Sequence, residues 1–160
     1  LKDSKKLSKK KRKILAKYIK KNSMWALAKA SVKEIEKYNI LIASLLAMKR
    51  AIKKLKKKPS ITLVDGIQIP YIKNYKIKSV IRGDQKIPSI SAASIIAKVK
   101  RDEVVSELGK KFKLYKWSKN SGYGTKEHLK AIKNQGVTCH HRKNFFPVKK
   151  YVSRKNTRSS

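Results

Sequence analysis

The sequence has few acidic residues, and this shortage is its most informative property. Only 9 of its 160 residues are Asp or Glu, against 44 Lys or Arg, so the formal net charge is +35. A chain this positive repels itself unless a polyanion is nearby, and nucleic acid is the obvious polyanion. Because Lys far outnumbers Arg, part of the excess is also what the codon usage of an A/T-rich genome would produce.

Two further absences limit the class of protein. The single cysteine, Cys139, excludes a disulfide within the chain and fits a reducing compartment. No apolar run approaches the roughly 20 residues that a membrane span needs, and no signal-peptide pattern opens the sequence. We therefore expect a cytoplasmic protein that makes no membrane contact.

Helical and strand-like patterns alternate along the chain, which predicts an α/β architecture. Ser8 and Ser31 have the features of helix N-caps, and Glu34 completes a capping box with Ser31. Asn39 is expected to end or kink the helix that Ser31 starts. The predicted helices cover 8–21, 31–39, the stretch after 40 to about 58, 89–112 and 126–134, and the predicted strands cover 24–30, 60–64 and 75–82.

Two of the rare carboxylates follow predicted strands. Asp65 ends an apolar strand and Asp84 follows the next one, so both are expected at the carboxyl edge of the sheet, where α/β proteins usually keep their sites. Taken alone, Asp65 is better explained by an Asx turn after a strand. Together the two acids could hold a divalent cation, which prefers hard oxygen ligands.

Other polar residues leave their roles open. Cys139-His140-His141 has the wrong spacing for a structural zinc site, which favours a surface loop. His128 lies on a predicted helix, where packing or capping is the simpler interpretation. Tyr123, between two glycines of a basic loop, could stack on a sugar or a base, or pack within the turn.

Several ordered motifs together resemble bacterial ribonuclease HII over nearly the whole chain. The most specific is Gly83-Asp84 followed by SISAASIIAKVKRD at 89–102. The other matching segments are DSKKLS at 3–8, the helix pattern at 39–49, LVDG at 63–66, GYGT at 122–125 with His128, and His141-Arg142 with Phe145 and Pro147. The resemblance implies a ribonuclease H-like fold, a mixed sheet flanked by helices, with a catalytic domain over 1–148 and a basic C-terminal tail over 149–160.

The resemblance also implies a reaction and a ligand set. The family cleaves the RNA strand of RNA–DNA hybrids, and duplex DNA at embedded ribonucleotides, with four carboxylates that bind two Mg²⁺ or Mn²⁺ ions. By motif position Asp65 and Asp84 correspond to the third and fourth carboxylates, and Tyr123 to the tyrosine that stacks on the adjacent deoxyribose. Asp102 is outside that metal set. The phosphate-contacting groove of a monomeric enzyme would include Ser4, Lys5 and Lys6.

One part of the family pattern is absent from these 160 residues. The family's first two carboxylates lie in an Asp-Glu-Ala-Gly-Arg-Gly motif on the first strand, before the DSKKL segment, and its Gly-Arg-Gly backbone reads the ribose 2′-hydroxyl. Our first hypothesis is that the sequence starts late, without its first strands, and that the motif is encoded upstream. A second takes the 160 residues as the product, which then lacks two of four metal ligands, is expected to be inactive, and is a basic nucleic-acid-binding remnant. A third, prompted only by the charge, is a ribosomal-type RNA-binding protein.

Overall fold

The computed structural model of the chain describes residues 7–153, which form two compact units. The first unit contains residues 7–30 and 41–100, and the second contains residues 31–40 and 101–153. The helices are α1 Lys9–Asn22, α2 Val32–Lys53, α3 Gly83–Lys86, α4 Pro88–Lys111, a 3-10 helix Lys113–Tyr115, α5 Trp117–Asn120, α6 Lys126–Gln135 and α7 Lys149–Ser153; the strands are β1 Thr62–Asp65 and β2 Ile77–Val80.

The predicted helix caps are confirmed by their hydrogen bonds. Ser8 precedes α1, and its Oγ accepts from the backbone N–H of Lys11 at 3.3 Å. At the start of α2, the Ser31 N–H donates to Glu34 Oε2 at 2.8 Å, and the Glu34 N–H donates to Ser31 Oγ at 3.2 Å. Asn39 has φ 69° inside α2, so the kink predicted there is confirmed. These caps satisfy backbone donors that the first helical turn leaves unpaired.

The first unit has an apolar core between α1 and α4. Side chains of both helices contribute to it, and Ile95 is completely buried there. Each such aliphatic side chain contributes roughly 1.5–3 kcal/mol by leaving water. The buried members of the cluster are Ala16, Ile19, Ile95, Ile96 and Val99.

The two strands of the first unit pair in parallel. Thr62 is opposite Ile77 and Asp65 is opposite Val80, so both strands end at the same edge of the sheet. This confirms the strands predicted around 60–64 and 75–82. The strand predicted over 24–30 is wrong, because that segment has no regular secondary structure. A strand needs a ladder partner; instead the Lys29 carbonyl accepts from the Arg50 guanidinium at 3.0 Å.

The second unit is built on an aromatic cluster. Trp117 and Tyr115 stack with ring centroids 5.3 Å apart, and both are buried together with Val105 and Ile132. The α7 helix opens the segment predicted as a basic tail, and its Tyr151 packs on the edge of this cluster. The boundary at residue 148 stays a prediction. Over residues 7–153, none of the helices combines the length and the apolar character needed to cross a membrane.

Candidate active site

Asp65 is held at the carboxyl end of β1 by a hydrogen bond to another segment. Its Oδ1 accepts from the backbone N–H of Gly83 at 2.7 Å, while the N–H of the following Gly66 donates to the Val80 carbonyl at 3.0 Å. The partner of the carboxylate is therefore eighteen residues away, which is not the local bond of an Asx turn. The side chain itself is exposed, so it remains accessible to a ligand.

Asp84 lies immediately after the donor of that hydrogen bond. Arg82 adopts a left-handed conformation, with φ 54°, and turns the chain from β2 into the four-residue helix α3. Asp84 is only 7% exposed. Gly83 is required at this turn by space, because a Cβ there would lie 2.5 Å from Ile90 Cδ1. The Asp65–Gly83 contact thus brings the two predicted acids to one edge of the sheet.

The two carboxylates fit a divalent cation in donor chemistry. Carboxylate oxygens are the hard ligands that Mg²⁺ and Mn²⁺ prefer. Within residues 7–153, however, no group of three or more His, Cys, Asp or Glu side chains is arranged to hold a metal ion. Asp65 and Asp84 therefore stay predicted ligands, as does the four-carboxylate set.

Tyr123 lies in the second unit, in a loop that we call the tyrosine loop, residues 121–125. The loop is shaped by Asn120, whose Oδ1 accepts from the Gly122 N–H at 2.9 Å and whose carbonyl accepts from the Tyr123 N–H at 2.9 Å. Thr125 ends the loop as the N-cap of α6. The Tyr123 ring is 75% exposed, so it is not a packed turn aromatic, and its faces are open to a stacking partner.

The histidines are structural residues of the second unit. His128 is buried, and its Nδ1 lies 3.0 Å from the Tyr115 carbonyl, in agreement with the packing role predicted for it. His141 is also buried and stacks on His128, with ring centroids 5.3 Å apart. Burial and the neighbouring His128 lower the pKa of His141 to about 4. Cys139 is exposed beside them, and these side chains form no metal cluster in residues 7–153.

The predicted phosphate contacts Ser4, Lys5 and Lys6 lie outside the described residues. Sequence reasoning missed Arg101, whose guanidinium approaches the tyrosine loop at Gly122, and Arg142, which the motif included without a role. The only signal for either was that Arg is rare in a chain whose cations are mostly Lys.

Comparisons with known proteins agree on one family. The family model described as Ribonuclease HII matches residues 1–148. A ribonuclease HII from Pelagibacter ubique is 68% identical over 148 residues, covering 92% of this chain and 80% of that protein. One from Wolbachia pipientis subsp. Culex pipiens is 50% identical over 147 residues, covering 92% of this chain and 74% of its own.

Solved structures show the same fold. The crystal structure of ribonuclease H2 from Pyrococcus horikoshii has a TM-score of 0.71 at 23% identity, and the match covers 99% of this chain and 82% of that one. The structure of a PCNA:RNase HII complex from Archaeoglobus fulgidus gives a TM-score of 0.65 at 23% identity, over 88% of this chain and 75% of that one. The structure therefore has the ribonuclease H-like α/β fold that the motifs predicted.

Proposed function

Because the chain belongs to the ribonuclease HII family, and by family is a ribonuclease H-type endonuclease, we propose that it acts 5′ to ribonucleotides in RNA–DNA hybrids and in duplex DNA. The observation that supports this most is the 2.7 Å hydrogen bond from the Gly83 N–H to Asp65 Oδ1. It holds one carboxylate beside the residue that precedes the other, at the edge of the sheet where both strands end.

Asp65 and Asp84 are proposed as ligands of a divalent cation, Mg²⁺ or Mn²⁺. When bound, such an ion activates water and stabilises charge on the phosphate oxygens during hydrolysis. The role of Asp65 is to present an oxygen whose direction the Gly83 N–H fixes. The role of Asp84 is to present a second oxygen from a buried position on α3, where its side chain has little freedom to move.

Substrate binding is proposed to depend on charge and on Tyr123. With 44 basic and 9 acidic residues, the chain attracts the phosphate backbone, and each phosphate contact releases counterions. The exposed ring of Tyr123 is proposed to stack on the sugar next to the ribonucleotide. Affinity for a hybrid duplex is therefore expected to fall steeply as salt rises, and a flat salt dependence would count against the proposal. A monomeric state and a cytoplasmic location stay predictions.

The test compares two proteins on one substrate, a labelled DNA duplex that contains a single ribonucleotide. The first protein is the 160-residue chain, and the second carries an added N-terminal segment with the Asp-Glu-Ala-Gly-Arg-Gly motif. With Mg²⁺ or Mn²⁺ we expect cleavage 5′ to the ribonucleotide by the extended protein and none by the 160-residue chain, which has only two of the four carboxylates. Cleavage by the short chain at a comparable rate would show that Asp65 and Asp84 suffice.

Substitutions in the extended protein test the residues themselves. Asp65→Asn and Asp84→Asn are each expected to slow cleavage by more than about 100-fold, since even an outer-shell partner of a metal site is worth 10–100-fold. Asp102→Asn is the matched control, because it removes one carboxylate that the resemblance leaves outside the metal set. Cleavage that is unchanged in Asp65→Asn would remove Asp65 from the proposed site, and cleavage of an all-DNA duplex would contradict the substrate class.

A further inference from the structure

We propose that Arg101 and Arg142 form a two-guanidinium site at the base of the tyrosine loop and that it binds one phosphate of the nucleic-acid backbone. This inference rests on the proposed function, because it places the phosphate next to the nucleoside on which Tyr123 stacks. It assigns a role to two side chains of the second unit, and this role is separate from the one proposed for the carboxylates at the sheet edge.

Arg101 reaches the loop from α4. A Cβ built on Gly122 would lie 3.4 Å from Arg101 Nη2, so the guanidinium lies directly against the glycine backbone. Gly122 has φ +82° and no side chain to separate the guanidinium from the loop. The neighbouring Tyr123 ring projects into solvent. A phosphate bound to Arg101 would therefore lie one residue away from the proposed stacking ring.

Arg142 belongs to the segment that packs on the other end of the same loop. A Cβ on Gly124 would lie 3.6 Å from two ring atoms of Pro147, so the loop contacts the chain two residues after the turn that Arg142 begins. In that turn the Phe145 N–H donates to the Arg142 carbonyl at 3.1 Å, and the Arg142 guanidinium lies 5.3 Å from the Phe145 ring centroid. This cation–π contact restricts the side chain before any ligand binds.

The two arginines repel each other in the absence of an anion. Burial, and then the charge of Arg101, lower the pKa of Arg142 from its ordinary value. Two neighbouring cations favour the binding of an anion, because the anion relieves their repulsion.

The chemistry of the side chains selects phosphate among anions. A guanidinium is planar and can donate two parallel hydrogen bonds to phosphate oxygens, and two guanidinium groups can contact different oxygens of one phosphate. Lysine, which supplies most of the positive charge elsewhere in this chain, offers a flexible point charge without that geometry. The arginine pair is thus suited to fix the register of a backbone, and not only to attract it.

The first experiment uses inorganic phosphate as the probe and NMR of the arginine Nε–Hε groups as the readout. At constant ionic strength, we expect the Arg101 and Arg142 resonances to shift with phosphate concentration and to give one shared dissociation constant. The control is Arg50, which donates to the Lys29 carbonyl, and its resonance should not follow the same binding curve. Arg101→Gln should weaken the response of Arg142 by about 10-fold, as expected for losing a hydrogen bond to a charged group. Separate dissociation constants, or an Arg142 response unchanged in Arg101→Gln, would overturn the shared site.

The second experiment distinguishes backbone phosphate from free phosphate. Binding of hybrid duplexes is measured without divalent metal, with single phosphates replaced in turn by neutral methylphosphonate. Methylphosphonate at one position should lower the affinity of the unsubstituted protein for the duplex by about 10-fold. In Arg101→Gln/Arg142→Gln, methylphosphonate at that position should no longer change the affinity. Lys130→Gln/Lys133→Gln, which removes the same charge from exposed positions of α6, should keep the sensitive position.

Each remaining outcome has a defined meaning. A phosphate response in the arginine resonances with no sensitive position in the duplex would overturn the assignment to nucleic acid. Substitution of Arg142, which is partly buried, can disturb the interior of the second unit. The methylphosphonate scan is therefore repeated with Arg101→Gln alone, because Arg101 is exposed. A sensitive position that disappears in the arginine variant, together with no cleavage by the extended protein, would support this site and contradict the proposed function.

Discussion

His141 should make the second unit sensitive to mild acid, and His141→Asn isolates this effect. The ring is 4% exposed and stacks on His128. Its Nδ1 lies 3.0 Å from the Thr138 N–H, and in the described residues its Nε2 is buried without a hydrogen-bond partner. An imidazolium in this position would have a buried charge beside a second histidine. The fold therefore holds the neutral ring.

The sign and size of the effect follow from the lowered pKa. In the folded chain the pKa of His141 is about 4, against an ordinary value of 6.5. Between these values the unfolded chain takes up a proton that the folded chain does not, so stability is lost as the pH falls from 6.5 to 4 and is fully present above 6.5. A difference of about 2.5 units, at roughly 1.4 kcal/mol each, corresponds to about 3 kcal/mol.

The assay is urea unfolding at several pH values, followed by tryptophan fluorescence. In a Trp25→Phe background, Trp117 is the sole reporter, and its ring lies 5.0 Å from that of His141. Other acids titrate in the same range, so the quantity to compare is the difference in unfolding free energy between the parent and His141→Asn. Asn can still accept from the Thr138 N–H. We expect the unfolding free energy of the parent, relative to that of His141→Asn, to fall by about 3 kcal/mol between pH 7.5 and pH 4.

The adjacent exposed residue supplies the control. His140→Asn, in the same background, should leave the acid dependence of stability in place, because His140 is exposed. Parallel pH profiles for the parent and His141→Asn would refute the reasoning. So would an NMR titration of the His141 ring in the folded chain with a midpoint near 6.5.

Two further predictions concern positions that set local geometry. Gly83→Ala should destabilise the first unit by about 1–3 kcal/mol, since its Cβ would lie 2.5 Å from Ile90 Cδ1 and 3.3 Å from Val80 Cβ. Urea unfolding measures the loss, and Ile90→Val in the same protein should recover part of it. An unfolding free energy unchanged in Gly83→Ala would contradict this packing. Ser31→Ala should cost about 1 kcal/mol by removing the capping box of α2; hydrogen exchange of the first turn of α2 measures it, and unchanged exchange would show that the cap contributes nothing.

Local features of this fold could be predicted from the sequence, because their causes lie within a few residues. Ser31 and Glu34 are three residues apart, and both bonds of the capping box form as predicted. Asn39 tolerates a positive φ, and the kink lies there. The strand predicted over 24–30 is wrong for the opposite reason, since a strand depends on a partner that its own residues do not specify.

The candidate site was predictable in its acids but not in the contacts that hold them. An apolar strand followed by Asp-Gly was enough to place Asp65 at the sheet edge. Nothing in the pattern showed that the Gly83 N–H, eighteen residues away, would donate to it. Arg101 likewise meets Gly122 only because the chain folds back on itself between them. Contacts of this kind depend on tertiary packing, which periodicity does not encode.

The positive charge predicts a nucleic-acid partner, whereas the rare acids predict the position of the site. In a chain with a net charge of +35, each carboxylate has many cations within reach, so its actual partner is informative. Four glutamates have structural partners on exposed helical surfaces or turns: Glu34 with Ser31, Glu36 with the Lys143 N–H, Glu107 with Lys110 and Glu127 with Lys116. Asp65 instead accepts from the backbone N–H beside Asp84, which is buried. A backbone donor thus fixes the direction of the Asp65 carboxylate, which is the arrangement that the proposed cation site requires.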